Sequence, residues 1–312
     1  MFHASHRLYA ESSTHGPLLL DPLASAEQAR VITQYHMLAS ALKEPLPELE
    51  ELGITTSTSP HLILDLGCGP GGTWACDVAF HDPFCLVFGI SALAPYVRQA
   101  TTFRQMQGQT RVQFLQMEFA RELCCPTSFA TIINGRFLRT FLTDAGWPRL
   151  LRECFRVLRP GGLLRLTECI AAFSNSPACE TLTHYYEQAL AICTQTLLSQ
   201  HERSQEGSDL ASILLQHTSL FELLHDVGYC AMEEQRIMLD FSAGTLYQAS
   251  MRTNAESFFY QLAPLLYQTT DLSPARFEDL FEQMRAEMSV PTFKGHWTLS
   301  RVHAFKPGGR AQ

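Results

Sequence analysis

The sequence predicts an α/β fold: a doubly wound, mainly parallel seven-stranded sheet with an N-terminal helical preface and a helical cap. Three observations predict it. Short apolar runs alternate with helical patterns between residues 61 and 168, a glycine-rich turn joins the first strand to its helix, and much more helix follows residue 168 than such a sheet requires.

The preface, residues 1–60, carries one helical pattern. Ser25 is placed to cap a helix in which Val31, Ile32, Tyr35, Leu38 and Leu42 recur at helical spacing, and Pro45 and Pro47 end it. A polar Thr/Ser linker over 54–60 leads into the core, 61–170. There, strands are expected at 62–66, 85–90, 111–117, 129–133 and 163–167, with helices at 73–79, 94–106 and 143–158 between them. Strands that alternate with helices imply a parallel sheet covered on both faces. Two helical patterns fill 171–228, read as a cap insertion. The last segment, 229–312, supplies strands at 231–241 and 296–305 around a further helical cap segment, 244–289. The excess helices have no sheet of their own, so they are expected to cover its carboxyl edge.

Composition excludes several classes. Of the 312 residues, 46% are apolar and only 17% charged, enough for a sizeable core. No run reaches the ~18 apolar residues a membrane helix needs, and Met1-Phe-His-Ala-Ser-His lacks the layout of a signal peptide. The formal charge of −8 argues against nucleic acid, and the arginines between Arg136 and Arg165 belong to one helix and its flanks. The ten cysteines are scattered with no Cys-x-x-Cys, and the twelve histidines are dispersed. A reduced, cytoplasmic setting is expected, with neither disulfides nor a metal site. A small-molecule partner fits better than nucleic acid or membrane, and a homo-oligomer is compatible with the composition.

The motif richest in chemistry is Asp65-Leu-Gly67-Cys68-Gly69-Pro-Gly71-Gly72, directly after an apolar strand and before a helix. Glycines there allow a tight turn and let a ligand lie against bare backbone. The run satisfies both G-x-G-x-G and G-x-G-x-x-G. A dinucleotide would place its pyrophosphate on the helix N-terminus and seek an acid about 20 residues on. S-Adenosylmethionine would instead use an acid two positions before the first glycine, where Asp65 stands, to grip its cationic amino group.

Ile63-Leu-Asp-Leu-Gly-Cys-Gly-Pro-Gly71 resembles the first motif of class I S-adenosylmethionine-dependent methyltransferases. Arg156-Val-Leu-Arg-Pro-Gly-Gly162 is similar to their signature before the fifth strand. Asn134-Gly-Arg136, Thr143-Asp144 and Trp147-Pro-Arg-Leu-Leu151 resemble the LaeA-like and related bacterial small-molecule methyltransferases, and Tyr35-His36 partly matches the end of their preface helix. The resemblance covers about residues 61–168 and is weak over the cap. It implies S-adenosylmethionine as cofactor, with Gly67, Cys68, Gly69 and Gly71 along its methionine and ribose parts. It also implies Glu118 at the adenine amino group, Phe119 packed on the ring, and Asn134 at the methionine moiety. Two departures stand out. Ser91 takes the place of the acid that ordinarily holds both ribose hydroxyls, and Ala130 replaces part of a common Phe-Asp pair.

Methyl transfer from a sulfonium is an in-line displacement, so the protein's part is alignment and exclusion of water. Candidate residues for the acceptor lie at strand ends, because open α/β sheets bind ligands at their carboxyl edge. Arg136 and Glu168 are expected there, the first to orient an anionic or carbonyl-bearing acceptor and the second as a base. Tyr9, Tyr35 and His36 in the preface, and His184, Tyr185 and Tyr186 in the cap, are further pocket candidates; packing is the competing role for each. The expectation is methyl transfer to a small molecule. A non-catalytic adenosylmethionine-binding regulator, or an enzyme using the cofactor only electrostatically, is the alternative.

Overall fold

In the computed structural model, described for residues 19–42, 45–48, 60–140, 142, 146–202 and 220–308, the seven strands line up in the order β3-β2-β1-β4-β5-β7-β6. They are β1 (His61–Leu66), β2 (Cys85–Ser91), β3 (Val112–Gln116), β4 (Ala130–Arg136), β5 (Leu158–Ser174), β6 (Cys230–Asp240) and β7 (Gly295–Phe305). The first five run parallel, and β7 enters antiparallel between β5 and β6. This is the doubly wound sheet the alternation implied. Tyr9, Thr143, Asp144 and all of the 54–60 linker but Pro60 lie outside the described residues.

Side-chain alternation splits the sheet into two faces. Ile63, Val87, Ile132 and Leu163 pack beneath α2 (Thr73–His81) and α3 (Ala94–Met106), with Trp74 fully buried among them. Leu64, Leu66, Ile133, Leu164 and Leu166 pack on the other face against α4 (Gly146–Val157) and α6 (Leu220–Val227). Strands buried on both faces read as continuous apolar runs, which is why they were visible in the sequence. A third core joins α1 (Ser25–Ala41), α5 (Pro177–Glu202), α7 (Gln248–Thr269) and α8 (Pro274–Glu287) to Leu239, Phe241 and Leu299 of the β6–β7 side.

Three expectations need correction. α1 begins at Ser25 itself, with Ala24 in the capping position and no side-chain cap hydrogen bond. β4 does not end near residue 133: Asn134, Gly135 and Arg136 continue it, pairing with Arg165, Leu166 and Thr167 of β5. β5 runs far past residue 167, through a register shift near Cys169, to pair Ser174 with Gly295 of β7. Helix therefore starts at Pro177 rather than 171. In both strands polar or small residues looked like a terminus, but a neighbouring strand satisfies their backbone groups.

Candidate functional site

The glycine loop leaves β1 and folds back on β2, the Gly67 and Cys68 N–H groups both donating to the Ile90 carbonyl at 2.9 and 3.0 Å. Gly67, Gly69 and Gly72 take φ values of +70°, +68° and +56°, the left-handed region that L side chains avoid. The glycines differ in what surrounds them. A Cβ on Gly72 or Gly89 would fall inside the Phe114 ring, so these two serve packing. A Cβ on Gly69 would meet only Val31, at 3.8 Å, and one on Gly71 would approach Ile32 to 3.2 Å. Bare backbone of Gly69 and Gly71 thus faces Val31 and Ile32 of α1. Cys68 is buried within the core, and burial followed by the Asp65 charge pushes its thiol well up, so it stays protonated.

α1 is tied down on both sides of this loop. Arg30 holds Glu27 through two hydrogen bonds of 2.7 and 2.6 Å, donates to Asn254 of α7 at 3.0 Å, and lies over the Phe258 ring. Tyr35 O–H donates to Asp77 of α2. The preface helix therefore bridges cap and core above the site.

Beside the loop, a row of polar side chains crosses the sheet in register. Asp65 of β1 is paired with Asn134 of β4, Asn134 with Arg165 of β5, and Arg165 with His303 of β7. In-register neighbours point to the same face. Asn134 Nδ2 donates to Asp65 Oδ1 at 2.8 Å, and Arg165 Nη1 donates to Asn134 Oδ1 at 2.7 Å. Arg165 Nε then donates to Glu48 Oε1 at 3.0 Å, an oxygen also 3.0 Å from His303 Nε2 and 3.6 Å from Arg301. Burial alone would raise the Glu48 carboxyl, but the His303 hydrogen bond and the two guanidiniums bring it down to about 2.

Arg136 lies one turn of the pleat further along the same face. Its guanidinium carbon sits 5.0 Å from the Tyr35 ring centre and 5.7 Å from that of Trp74. Its buried Nε has no hydrogen-bond partner among the described residues. Glu168 is on the opposite face. It is 4% exposed, accepts from the Leu138 N–H at 2.8 Å, and burial pushes its carboxyl up to about 8 against the lowering effect of that bond and of Arg139. The expectation that Arg136 and Glu168 face one site is thus corrected: strand alternation sends them to opposite sides of the carboxyl edge.

The remaining candidates separate. Ser91 is buried at the end of β2 and its Oγ accepts from the Leu93 N–H at 3.1 Å, leaving its own proton to donate. Glu118 is exposed just after β3, whereas Phe119 is 4% exposed inside the core against Leu66 and Ile90. Phe119 is therefore core packing and not an open face for a ring to stack on. Tyr35 is buried, but His36 next to it is exposed. His184 is exposed on α5 and bonds within its own helix, to Gln188 at 2.9 Å. Tyr185 and Tyr186 are half-buried in the cap core, the latter edge-on to Phe258. Helical geometry turns His184 away from the tyrosines that follow it, and the structure does not bring it to Arg136 or Tyr35. Sequence reasoning missed Trp74, Glu48, Arg165 and His303. Arg165 carried a usable signal, a lone cation inside an apolar strand that must find a partner.

Comparison with known proteins finds similarity over the core of this geometry. Residues 63–162 match the model of a methyltransferase domain family. A carboxy-S-adenosyl-L-methionine synthase of Desulforapulum autotrophicum is 25% identical over 178 residues, covering 56% of this chain and 69% of that protein. Among solved structures, the YcgJ protein of Bacillus subtilis is 17% identical with a TM-score of 0.48, covering 83% of this chain and 97% of that one. The geranyl diphosphate C-methyltransferase of Streptomyces coelicolor is 16% identical with a TM-score of 0.42, covering 96% and 92%. With TM-scores below 0.5, the fold rests on the strand order itself and not on these two likenesses. Residues 63–162 are thus similar to a methyltransferase domain, and the sheet around them has the mainly parallel, seven-stranded order of the class I fold. The loop fits S-adenosylmethionine: Gly69 offers bare backbone, and Asp65 offers a buried carboxylate two positions before the first glycine. No helix among the described residues is long and apolar enough to cross a membrane.

Proposed function

We propose that the chain transfers the methyl group of S-adenosylmethionine to a small-molecule acceptor in the cytoplasm, the acceptor lying between the preface helix, the helical cap and the carboxyl ends of β4 and β5. In this reading the chain divides into a preface (1–60), a cofactor core (61–170), a cap insertion (171–228) and a closing segment (229–312). The finer LaeA-like assignment rests on Asn134-Gly-Arg136 and the Trp147-Pro start of α4.

The observation that carries the reading is Arg136. A cation stacked on Tyr35 and Trp74, beside the row that starts at Asp65, keeps a buried Nε–H for a ligand. Buried donors without a protein partner call for one from elsewhere. An anionic or carbonyl oxygen on the acceptor supplies it, and the stacked rings hold the guanidinium where it is needed. The cofactor, when bound, supplies an electrophilic methyl on a sulfonium. The chain's own part is to align the acceptor and keep water out, work that needs no universal catalytic residue. Glu168, protonated below about pH 8, sits at the same edge on the other face. It can accept a proton near neutral pH only as it loses its own, which suits an acceptor whose nucleophile ionises in the same range.

The test is incubation with methyl-labelled cofactor and a metabolite extract, fractionated by size. Label in the small-molecule fraction, lost in Arg136→Met with cofactor binding retained, supports the reading. Label confined to protein or nucleic acid, or no turnover with intact cofactor binding, overturns it.

A further inference from the structure

The row Asp65–Asn134–Arg165 reaches from the glycine loop to the far side of the sheet, and each link constrains the next. Arg is a donor only, and an Asn amide presents one acceptor and one donor group. Arg165 Nη1, 2.7 Å from Asn134, therefore compels the Asn134 oxygen to face it. The Asn134 amide nitrogen must then face Asp65, where it donates at 2.8 Å. A flipped amide would set an acceptor against the Asp65 carboxylate and a donor against a guanidinium, two repulsive contacts in a dry site. Arg165 has no freedom to turn away: it is fully buried, held at Nε by Glu48 and stacked near Trp74. Glu48 is fixed in turn by His303 and Arg301 of β7. Charges of alternating sign, each hydrogen-bonded, make burial of the row tolerable.

We propose that Arg165, through its hydrogen bond to Asn134, is a positioning residue that holds the Asp65 carboxylate for the cationic amino group of the methyl donor. This rests on the cofactor reading above and adds a residue that does not itself reach the ligand. Its consequence is selective. Only the amino-acid end of the cofactor feels Asp65, so losing Arg165 weakens ligands that carry that end and spares those that lack it.

The experiment compares S-adenosylhomocysteine with 5′-methylthioadenosine, which keeps the nucleoside and sulfur but has no amino group, by calorimetry on the full chain. Arg165→Met takes one cation from Glu48, which keeps His303 at 3.0 Å and Arg301 at 3.6 Å, and a second variant, Arg165→Met with Glu48→Gln, lowers the buried negative charge in step; circular dichroism checks the fold of both. The expected result is a loss of roughly tenfold or more for S-adenosylhomocysteine, the size of a charged hydrogen bond. Methylthioadenosine affinity should stay the same, and Arg165→Lys should restore part of the loss. Unchanged S-adenosylhomocysteine affinity, or an equal fall for both ligands in a folded variant, overturns the positioning role. Failure of the wild type to bind either ligand overturns it by removing the cofactor reading beneath it.

Discussion

Replacing Glu168 by Gln should remove a stretch of pH-dependent instability from the folded protein. The carboxyl is 4% exposed, and burial outweighs the Leu138 N–H bond and the Arg139 charge, lifting it from its ordinary 4.5 to about 8. The unfolded chain releases this proton near 4.5 and the folded chain holds it until about 8. Between those values the folded state binds more protons, so stability falls as pH rises. At about 1.4 kcal/mol per pH unit, the whole rise amounts to about 4–5 kcal/mol. The contribution is fully present below pH 4.5 and fully lost above about pH 8. Glutamine keeps an oxygen for the Leu138 N–H and has no proton to lose. Urea unfolding of wild type and Glu168→Gln at intervals from pH 4.5 to 9 measures the difference directly, because other titrating groups cancel when the two curves are subtracted. The wild type should lose ground to the variant steadily through the window and level off near pH 8. A difference that stays flat to within about 0.5 kcal/mol, the scatter of ordinary surface changes, refutes the buried, protonated Glu168.

Gly72→Ala should destabilise by about 2–5 kcal/mol, combining a left-handed backbone with a methyl driven into the Phe114 ring, and Phe114→Leu should recover the packing part; urea unfolding checks both. Ser91→Asp should tighten S-adenosylhomocysteine by about 1–3 kcal/mol, because a carboxylate can accept from the ribose hydroxyls and still cap the Leu93 N–H. Unchanged affinity there means that another group already holds the ribose. His184→Ala, on an exposed helix face, should shift stability by less than about 0.5 kcal/mol and leave turnover intact. A loss of turnover would put the outer face of α5 in the acceptor site.

The elements of the core were legible because each buries a periodic apolar surface; α3 falls on the expected 94–106 and the strands alternate with helices as read. The glycine loop was legible because its function is local, six residues of backbone between a strand and a helix. The polar row was not. Its links join residues 69, 31 and 117 positions apart in the chain, a pairing that only the strand register creates. For the same reason Asn134 and Arg136 read as the end of β4, though polar side chains there are accommodated by partners on β1, β5 and α1. The face on which Arg136 and Glu168 stand depends on alternation past the parallel edge, and the β5 extension that decides it pairs with a strand more than a hundred residues later. The cap was visible as helix but not as a site, because half-buried tyrosines look alike whether they pack or bind.

The Asp65–Gly72 loop is proposed to hold the methyl donor. Calorimetric titration of S-adenosylhomocysteine into the full chain tests it most directly, run beside a nicotinamide dinucleotide and repeated on Asp65→Ala. The expected result is saturable binding of S-adenosylhomocysteine, none comparable for the dinucleotide, and loss of the signal in a folded Asp65→Ala variant. Tight dinucleotide binding, or S-adenosylhomocysteine binding that Asp65→Ala leaves unchanged, would contradict it.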